Sequence, residues 1–250
     1  MKILYFSGTG NSLYVAKLLG EEIIPIKQYH TDPQPIFEDD VIGIIFPVYW
    51  ISVPVYVRQF LEKSTFHCDY LFGIMTYGDH HYGASELLFE VKTANGRTFD
   101  YINYVKMVEN YLPMYEMNRE IKKAQSYYTE ATIVTIRTEI ADRKIYRPKA
   151  SRFSQKLSKK MNQKHCQAIR ENEGEARNLK ITNGCISCGI CVQICPMHNI
   201  SMNYRNVYIG MNCADCLACI QNCPKGAIHT AKEKSKARYR NPNISLQELL

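Results

Sequence analysis

Two cysteine runs carry the most specific chemistry in this 250-residue chain. Cys185-Ile-Ser-Cys188-Gly-Ile-Cys191-Val-Gln-Ile-Cys195-Pro196 recurs 28 residues later as Cys213-Ala-Asp-Cys216-Leu-Ala-Cys219-Ile-Gln-Asn-Cys223-Pro224. Each run reads Cys-x2-Cys-x2-Cys-x3-Cys-Pro. Three thiolates with two residues between neighbours let a short loop wrap a cubane iron–sulfur cluster on three corners. The fourth cysteine begins a helix that points elsewhere. Pro196 and Pro224 stop the loop and turn the chain, and Gly189 lets the backbone approach the cluster sulfurs. Structural zinc pairs two Cys-x2-4-Cys units at longer separation, with four ligands per site. Triple-plus-one runs closed by proline do not match that pattern. Disulfides are disfavoured because no export signal accompanies the cysteines.

Residues 178–232 resemble the bacterial two-cluster ferredoxins. The resemblance implies a small α+β domain, low-potential one-electron transfer, and a fourth cysteine that ligates the other cluster. One [4Fe–4S] cluster then takes Cys185, Cys188, Cys191 and Cys223; the other takes Cys213, Cys216, Cys219 and Cys195. Such a domain is too small to fold on apolar burial alone, so the clusters supply most of its stability. Of the ten cysteines, only Cys68 and Cys166 fall outside these sets, and they read as incidental thiols.

A second chemistry-bearing segment lies at the other end. Ser7-Gly8-Thr9-Gly10-Asn11-Ser12 follows a short apolar run and precedes a helical pattern. Backbone N–H groups at a helix start, helped by hydroxyls, make a phosphate cradle. No Walker lysine follows, which disfavours a nucleoside triphosphatase. The third glycine of the dinucleotide pattern is missing, which disfavours NAD. Hydroxyls and amides without a counter-cation suit a single phosphate monoester.

On Ser7, Thr9, Gly10, Asn11 and Ser12 the chain is similar to the flavodoxins, whose loop Thr/Ser-x-Thr-Gly-Asn-Thr/Ser binds FMN. The similarity covers residues 1–110 and fades beyond them. It implies that the flavin ring lies between two further loops, Pro47-Val48-Tyr49-Trp50 and Thr76-Tyr77-Gly78-Asp79 continuing to Tyr82-Gly83. Tyr49, Trp50, Tyr77 and Tyr82 are the stacking candidates. His80 and His81 in the second loop read as solvated, with proton delivery as the functional alternative.

These segments need a scaffold. Apolar runs at 2–6, 23–26, 41–46, 70–75 and 101–108 predict five strands; 11–19, 53–61 and 84–91 predict helices between them. Strands alternating with helices imply a doubly wound parallel sheet, and continuous rather than alternating apolar runs imply strands buried on both faces. Five strands fit the flavodoxin-like order as well as any other doubly wound order. Helical spacing recurs over 116–128 and 151–169, both otherwise basic. Asn172-Glu173-Gly174-Glu175 reads as a boundary, 200–209 as a small hairpin, and the stretch after Ala231 as a polar, loosely held tail. The expected organisation is an FMN-binding α/β domain at 1–142, a basic helical connector at 143–174, a two-cluster ferredoxin domain at 175–232 and a tail at 233–250.

The overall charge is +7, divided as −5 over 1–110, +8 over 111–182 and +4 over 183–250. Two oxidised clusters and one phosphate would cancel most of it. No nucleic-acid motif accompanies the basic stretch, so nucleic acid is not an expected partner. An acidic electron carrier docking on residues 143–164 is the functional reading of that charge; a solvated helix face is the plain one. No apolar run is long enough for a membrane span, and the opening Met1–Phe6 run is too short for a secretory signal, so a cytoplasmic chain is expected. Taken together, the two halves resemble flavodoxin–ferredoxin fusion proteins of anaerobes. That resemblance implies single-electron transfer between two [4Fe–4S] clusters and FMN, with redox proteins as partners. The alternatives are an FMN-dependent reductase of a small substrate fed by the clusters, and a redox-sensing module that binds a partner. A second glycine-rich strand–helix loop is lacking, so no NAD(P)H site is expected.

Overall fold

The computed structural model describes residues 1–171 and 179–250. The first part runs β1 (Lys2–Tyr5), α1 (Asn11–Leu19), β2 (Glu22–Pro25), β3 (Ile36–Glu38), β4 (Val41–Pro47), α2 (Val55–Lys63), β5 (Thr65–His67), β6 (Tyr70–Tyr77), α3 (Ala84–Glu90) and β7 (Tyr101–Lys106). Five of these strands form one parallel sheet in the order β2-β1-β4-β6-β7. That is the flavodoxin-like order, with the switch point between β1 and β4. The short parallel pair β3–β5 was not foreseen from sequence.

Strands covered on both faces can be apolar at every position. Ile3 and Tyr5 of β1 feed one core, while Leu4 and the following Phe6 feed the other. In β4, Ile45 goes to the first core and Ile42, Ile44 and Phe46 to the second. The carboxyl ends of β1, β4 and β6 therefore sit on a rigid, fully packed base, and the loops leaving them are the site.

The helix expected over 116–128 is shorter than expected, and a second helix that was not expected follows it. α4 (Met117–Ala124) stops short, and α5 (Thr129–Ala141) follows a break. Ile133, Ile136 and Ile140 of α5 are buried in the same core as Leu13 and Val105, so α5 closes that face of the sheet. α6 (Arg152–Arg170) packs against α3, and its buried Ser158 accepts a hydrogen bond from the Gly83 N–H at 2.9 Å. The proposed boundary at 172–175 lies outside the described residues.

The remainder holds β8 (Lys180–Ile181), α7 (Ile190–Ile194), β9 (Ile200–Asn203), β10 (Asn206–Ile209), α8 (Ala218–Gln221), β11 (Ile228–His229) and α9 (Leu246–Leu249). β9 and β10 form the expected hairpin, and β8 pairs antiparallel with β11. The apolar core of this unit, with Ile194, Ile200, Leu217, Ile220 and Ile228, is continuous with the α1 face of the sheet.

The tail departs from expectation. Tyr239, Asn241, Ile244 and Leu249 are all buried. Ile244 presses on Gly10, and the Lys27 ammonium donates to the Leu249 carbonyl at 2.9 Å. A few anchors spaced along a polar segment are enough to seat it, which average composition does not reveal.

Candidate functional site

Three loops at the carboxyl ends of β1, β4 and β6 enclose a cavity of about 340 Å³. This is at the small end of ligand pockets. Ser7, Gly8, Thr9, Asn11 and Ser12 line it from the first loop, Pro47, Val48, Tyr49 and Trp50 from the second, and Thr76, Tyr77 and Gly78 from the third.

Four expected residues do not line the cavity. Gly10 shapes the first loop instead, holding a left-handed φ of 92° beneath Asn241 and Ile244. The Asp79 carboxylate is engaged by the Tyr115 hydroxyl at 3.2 Å and by Lys123. Tyr82 sits beside the His80 ring, with centroids 5.1 Å apart, and Gly83 lies under the backbone of α6. His80 lines the cavity, whereas the His81 ring stacks on Tyr104 with centroids 3.9 Å apart.

The first loop has the chemistry of a phosphate cradle. The Ser7 hydroxyl accepts the Gly10 N–H at 3.0 Å and so tightens the turn. Ser12 and Thr76 share a hydrogen bond of 2.8 Å between hydroxyls, tying two loops together. The first N–H groups of α1 have no intrahelical acceptor and face the loop. Among the described residues, no lysine or arginine lines the cavity.

The second loop is a tight reversal. Tyr49 and Ser52 exchange backbone hydrogen bonds of 3.1 and 2.9 Å, and Trp50 and Ile51 between them both hold φ of 51°. Two left-handed residues make this a type I′ geometry, which ordinarily selects Asn-Gly. A β-branched Ile there is strained, and strain of this kind persists where surrounding structure overrides it. The result aims Trp50 at the cavity, stacked on His165 with centroids 5.5 Å apart and edge-on to Tyr111.

Sequence reasoning missed the other walls. The segment after β7 contributes Val108, Glu109, Asn110, Tyr111, Met114 and Tyr115. Glu109 is held by the backbone N–H groups of Asn110, Tyr111 and Asp79 at 2.9, 3.1 and 3.2 Å; burial pushes its carboxyl above the ordinary value, against those bonds. Leu157 and Met161 of α6 form a roof, so the expected connector is part of the site. Asp215, Cys216 and Leu217 form the remaining wall. A glutamate and aromatics just past the last strand were the available signal.

The eight repeat cysteines line two further cavities. Cys185, Cys188, Cys191 and Cys223 line one; Cys195, Cys213, Cys216 and Cys219 line the other. The topology thus gathers three cysteines of one run with the fourth of its partner. Among the described residues no cysteine is in a disulfide, and Cys68 and Cys166 line neither cavity. Among the described residues, no three ligating side chains converge as they would on a single ion. Backbone N–H groups reach the fourth sulfur of each run, Asn199 to Cys195 at 3.3 Å and Ala227 to Cys223 at 3.2 Å. Apolar walls, four thiols and N–H···S bonds are the donor set of a cubane cluster. Burial pushes the Cys216 and Cys219 thiols well up, with the neighbouring Cys213 adding to it. Holding a cluster would require those thiols to give up their protons.

Cys216 belongs to both constructions, lining the second cysteine cavity and the three-loop cavity alike. Its carbonyl sits 2.9 Å from where a Cβ on Gly8 would be, so only glycine allows the approach.

Residues 184–227 match the 4Fe-4S dicluster domain family. That match carries iron–sulfur electron transfer for this part of the chain. No curated protein matches the chain. Among solved structures, a Bacteroides uniformis chain provisionally described as a flavoprotein aligns at 15% identity over 50% of this chain and 97% of its own, TM-score 0.34. The Trp repressor binding protein of Bacillus subtilis aligns at 11% identity over 55% of this chain and 96% of its own, TM-score 0.33. Both likenesses are too distant to inform function; the fold rests on the strand order itself. Among the described residues, no helix is long and apolar enough to cross a membrane.

Proposed function

We propose that this chain is an electron-transfer iron–sulfur flavoprotein that holds two [4Fe–4S] clusters and one FMN. The observation that carries this is the shared wall, because Cys216 lines both the second cysteine cavity and the three-loop cavity. When bound, the clusters supply single electrons and the flavin supplies one- or two-electron chemistry. The protein's own part is binding and placement. Ser7, Thr9, Ser12 and the start of α1 would hold the phosphate, and Tyr49, Trp50 and Tyr77 would border the ring. Leu157 and Met161 shield the cavity from water, while Asp215 to Leu217 separate it from the second cysteine set by one stretch of backbone. Asn199 and Ala227 N–H groups tune the two sulfurs they reach.

Anaerobic purification followed by iron, sulfide and flavin quantitation tests the reading. About eight iron and one FMN per chain are expected. Four iron with no flavin would overturn the arrangement.

A second reading, reduction of a small substrate at FMN, is favoured by one observation: α6 roofs the cavity and His80 lines it. Saturable reoxidation of the reduced protein by a small oxidant, with no response to protein carriers, would select it.

A further inference from the structure

The two cysteine runs align cysteine for cysteine, and one buried apolar position of the first run is polar in the second. Cys191-Val192-Gln193-Ile194-Cys195 corresponds to Cys219-Ile220-Gln221-Asn222-Cys223. Ile194 is buried, as its place in a small core requires; Asn222, at the equivalent place, is buried too, yet polar. Burying an amide in place of an aliphatic side chain is unfavourable unless it is hydrogen-bonded. Its amide donates to the Gly8 carbonyl, within the phosphate loop, at 3.0 Å, and to the Ala218 carbonyl at 3.0 Å.

Gln221 does the same for the neighbouring loop. Its amide donates to the Asn110 carbonyl at 2.8 Å, and its oxygen accepts the Tyr239 N–H at 2.8 Å. Asn110 in turn donates to the Thr9 hydroxyl at 2.9 Å. Both bonds thus end on loops that line the three-loop cavity. Gln193, the counterpart of Gln221, is exposed.

Cys219 and Cys223 flank this pair and line different cysteine cavities. α8 spans only four residues, Ala218–Gln221, too short to hold its place unaided. We propose that Gln221 and Asn222 are positioning residues that make FMN binding conditional on cluster loading: the clusters fix α8, and α8 fixes the phosphate loop. This rests on the reading above, that clusters occupy the cysteine cavities and FMN the three-loop cavity. Because binding couplings are reciprocal, bound FMN also tightens the hold on iron in equilibrium competition with a chelator.

The test measures FMN dissociation constants on the full chain, by flavin fluorescence, with clusters loaded and after iron removal. Iron removal should weaken FMN at least tenfold, and reconstitution should restore it. On cluster-loaded protein, Asn222→Ala should weaken FMN about tenfold, the cost of leaving the buried Gly8 carbonyl unpaired. Gln221→Ala should weaken it by several-fold and Gln193→Ala not at all. Riboflavin, lacking the phosphate, should be nearly insensitive to Asn222→Ala, which separates loop positioning from general damage. Should Asn222→Ala fail to retain clusters, Gln221→Ala and the loaded-versus-iron-free pair still decide. Equal FMN affinity with and without clusters overturns the coupling while leaving the proposed function standing. Absence of FMN binding in cluster-loaded protein overturns the proposed function itself.

Discussion

The two cysteine cavities have one sequence pattern and opposite surroundings. Around the first, Cys188 is exposed, Ile186 is 57% exposed and Tyr204 at the hairpin tip is 93% exposed. Ser187 donates to the Arg205 carbonyl at 2.6 Å, which holds that tip beside the cysteine loop. Around the second, Asp215, Leu217 and Cys219 are buried, and Gly8 lies against the Cys216 carbonyl. An internally duplicated unit therefore presents one pole to solvent and the other to the three-loop cavity. The ligand set comes from the repeat. The environment of each pole comes from what the rest of the chain packs against it.

Removing one ligand from each pole breaks the comparison most directly. Cys216→Ser should lower bound iron from about eight towards four per chain and disconnect flavin reduction from the remaining cluster. Cys188→Ser should cost about the same iron but leave the flavin in redox exchange with the cluster beside it. Iron analysis with stopped-flow flavin absorbance reads both. Equal retention of flavin reduction in the two variants would show that the buried pole has no special place.

A gentler perturbation uses glycines at the two poles. Gly8→Ala places a methyl 2.9 Å from the Cys216 carbonyl, where backbone must move. Overpacking of this kind costs about 1–3 kcal/mol. Gly184→Ala, before the first run, meets nothing nearer than the Thr182 hydroxyl at 3.6 Å and should stay within about 0.5 kcal/mol. At about 2–4 °C per kcal/mol for a chain of this size, thermal unfolding followed at cluster absorbance separates the two. A Gly8→Ala protein as stable as the parent would mean that the loops do not touch in solution.

The sheet was legible because strands buried on both faces are written as uninterrupted apolar runs, as in Val41–Phe46. The cysteine groupings were legible because the spacing marks each run as a cluster loop, and the resemblance to two-cluster ferredoxins implies that the fourth cysteine of each run crosses to its partner. The walls supplied by Glu109, Leu157 and Asp215 were not. Leu157 lies on a helix whose charged residues are all basic, and that helix is held at the site in part by Ser158 meeting the Gly83 N–H, a contact between residues 75 positions apart. α5 escaped notice because Thr129–Ala141 is rich in β-branched residues with weak helix preference. Packing of its three isoleucines onto the sheet overrides that preference. Asn222 was visible in the sequence as the one polar break in an otherwise apolar repeat position, but its meaning needed the position of Gly8.

Opening the roof should make the buried pole behave more like the exposed one. Leu157→Ala with Met161→Ala removes two apolar side chains from α6 above the cavity. Reoxidation of the reduced flavin by a small oxidant such as ferricyanide should become several-fold faster, with FMN affinity changed less. Iron content at both poles should stay constant. An unchanged reoxidation rate would place the access route elsewhere than under α6.

The smallest effect concerns the tail, whose Tyr239 and Asn241 brace the phosphate loop beside the buried pole. The Tyr239 hydroxyl donates to the Asn11 side-chain oxygen at 2.8 Å, and Asn11 also receives the Asn241 amide at 3.3 Å and donates to the Val108 carbonyl at 3.1 Å. Asn11 is the first residue of α1 and lines the cavity, so the tail reaches the phosphate loop through it. Tyr239→Phe keeps the buried ring and deletes one hydrogen bond worth about 1 kcal/mol net. If that loss passes wholly to the loop, FMN affinity falls about fivefold. Chelator-driven iron loss from the exposed pole should not change, because none of these contacts involves the first run. Tyr239→Ala, which removes the ring as well, should weaken FMN further. A phenylalanine variant with parental affinity beside a weakened alanine variant would assign the tail's role to packing rather than to its hold on Asn11.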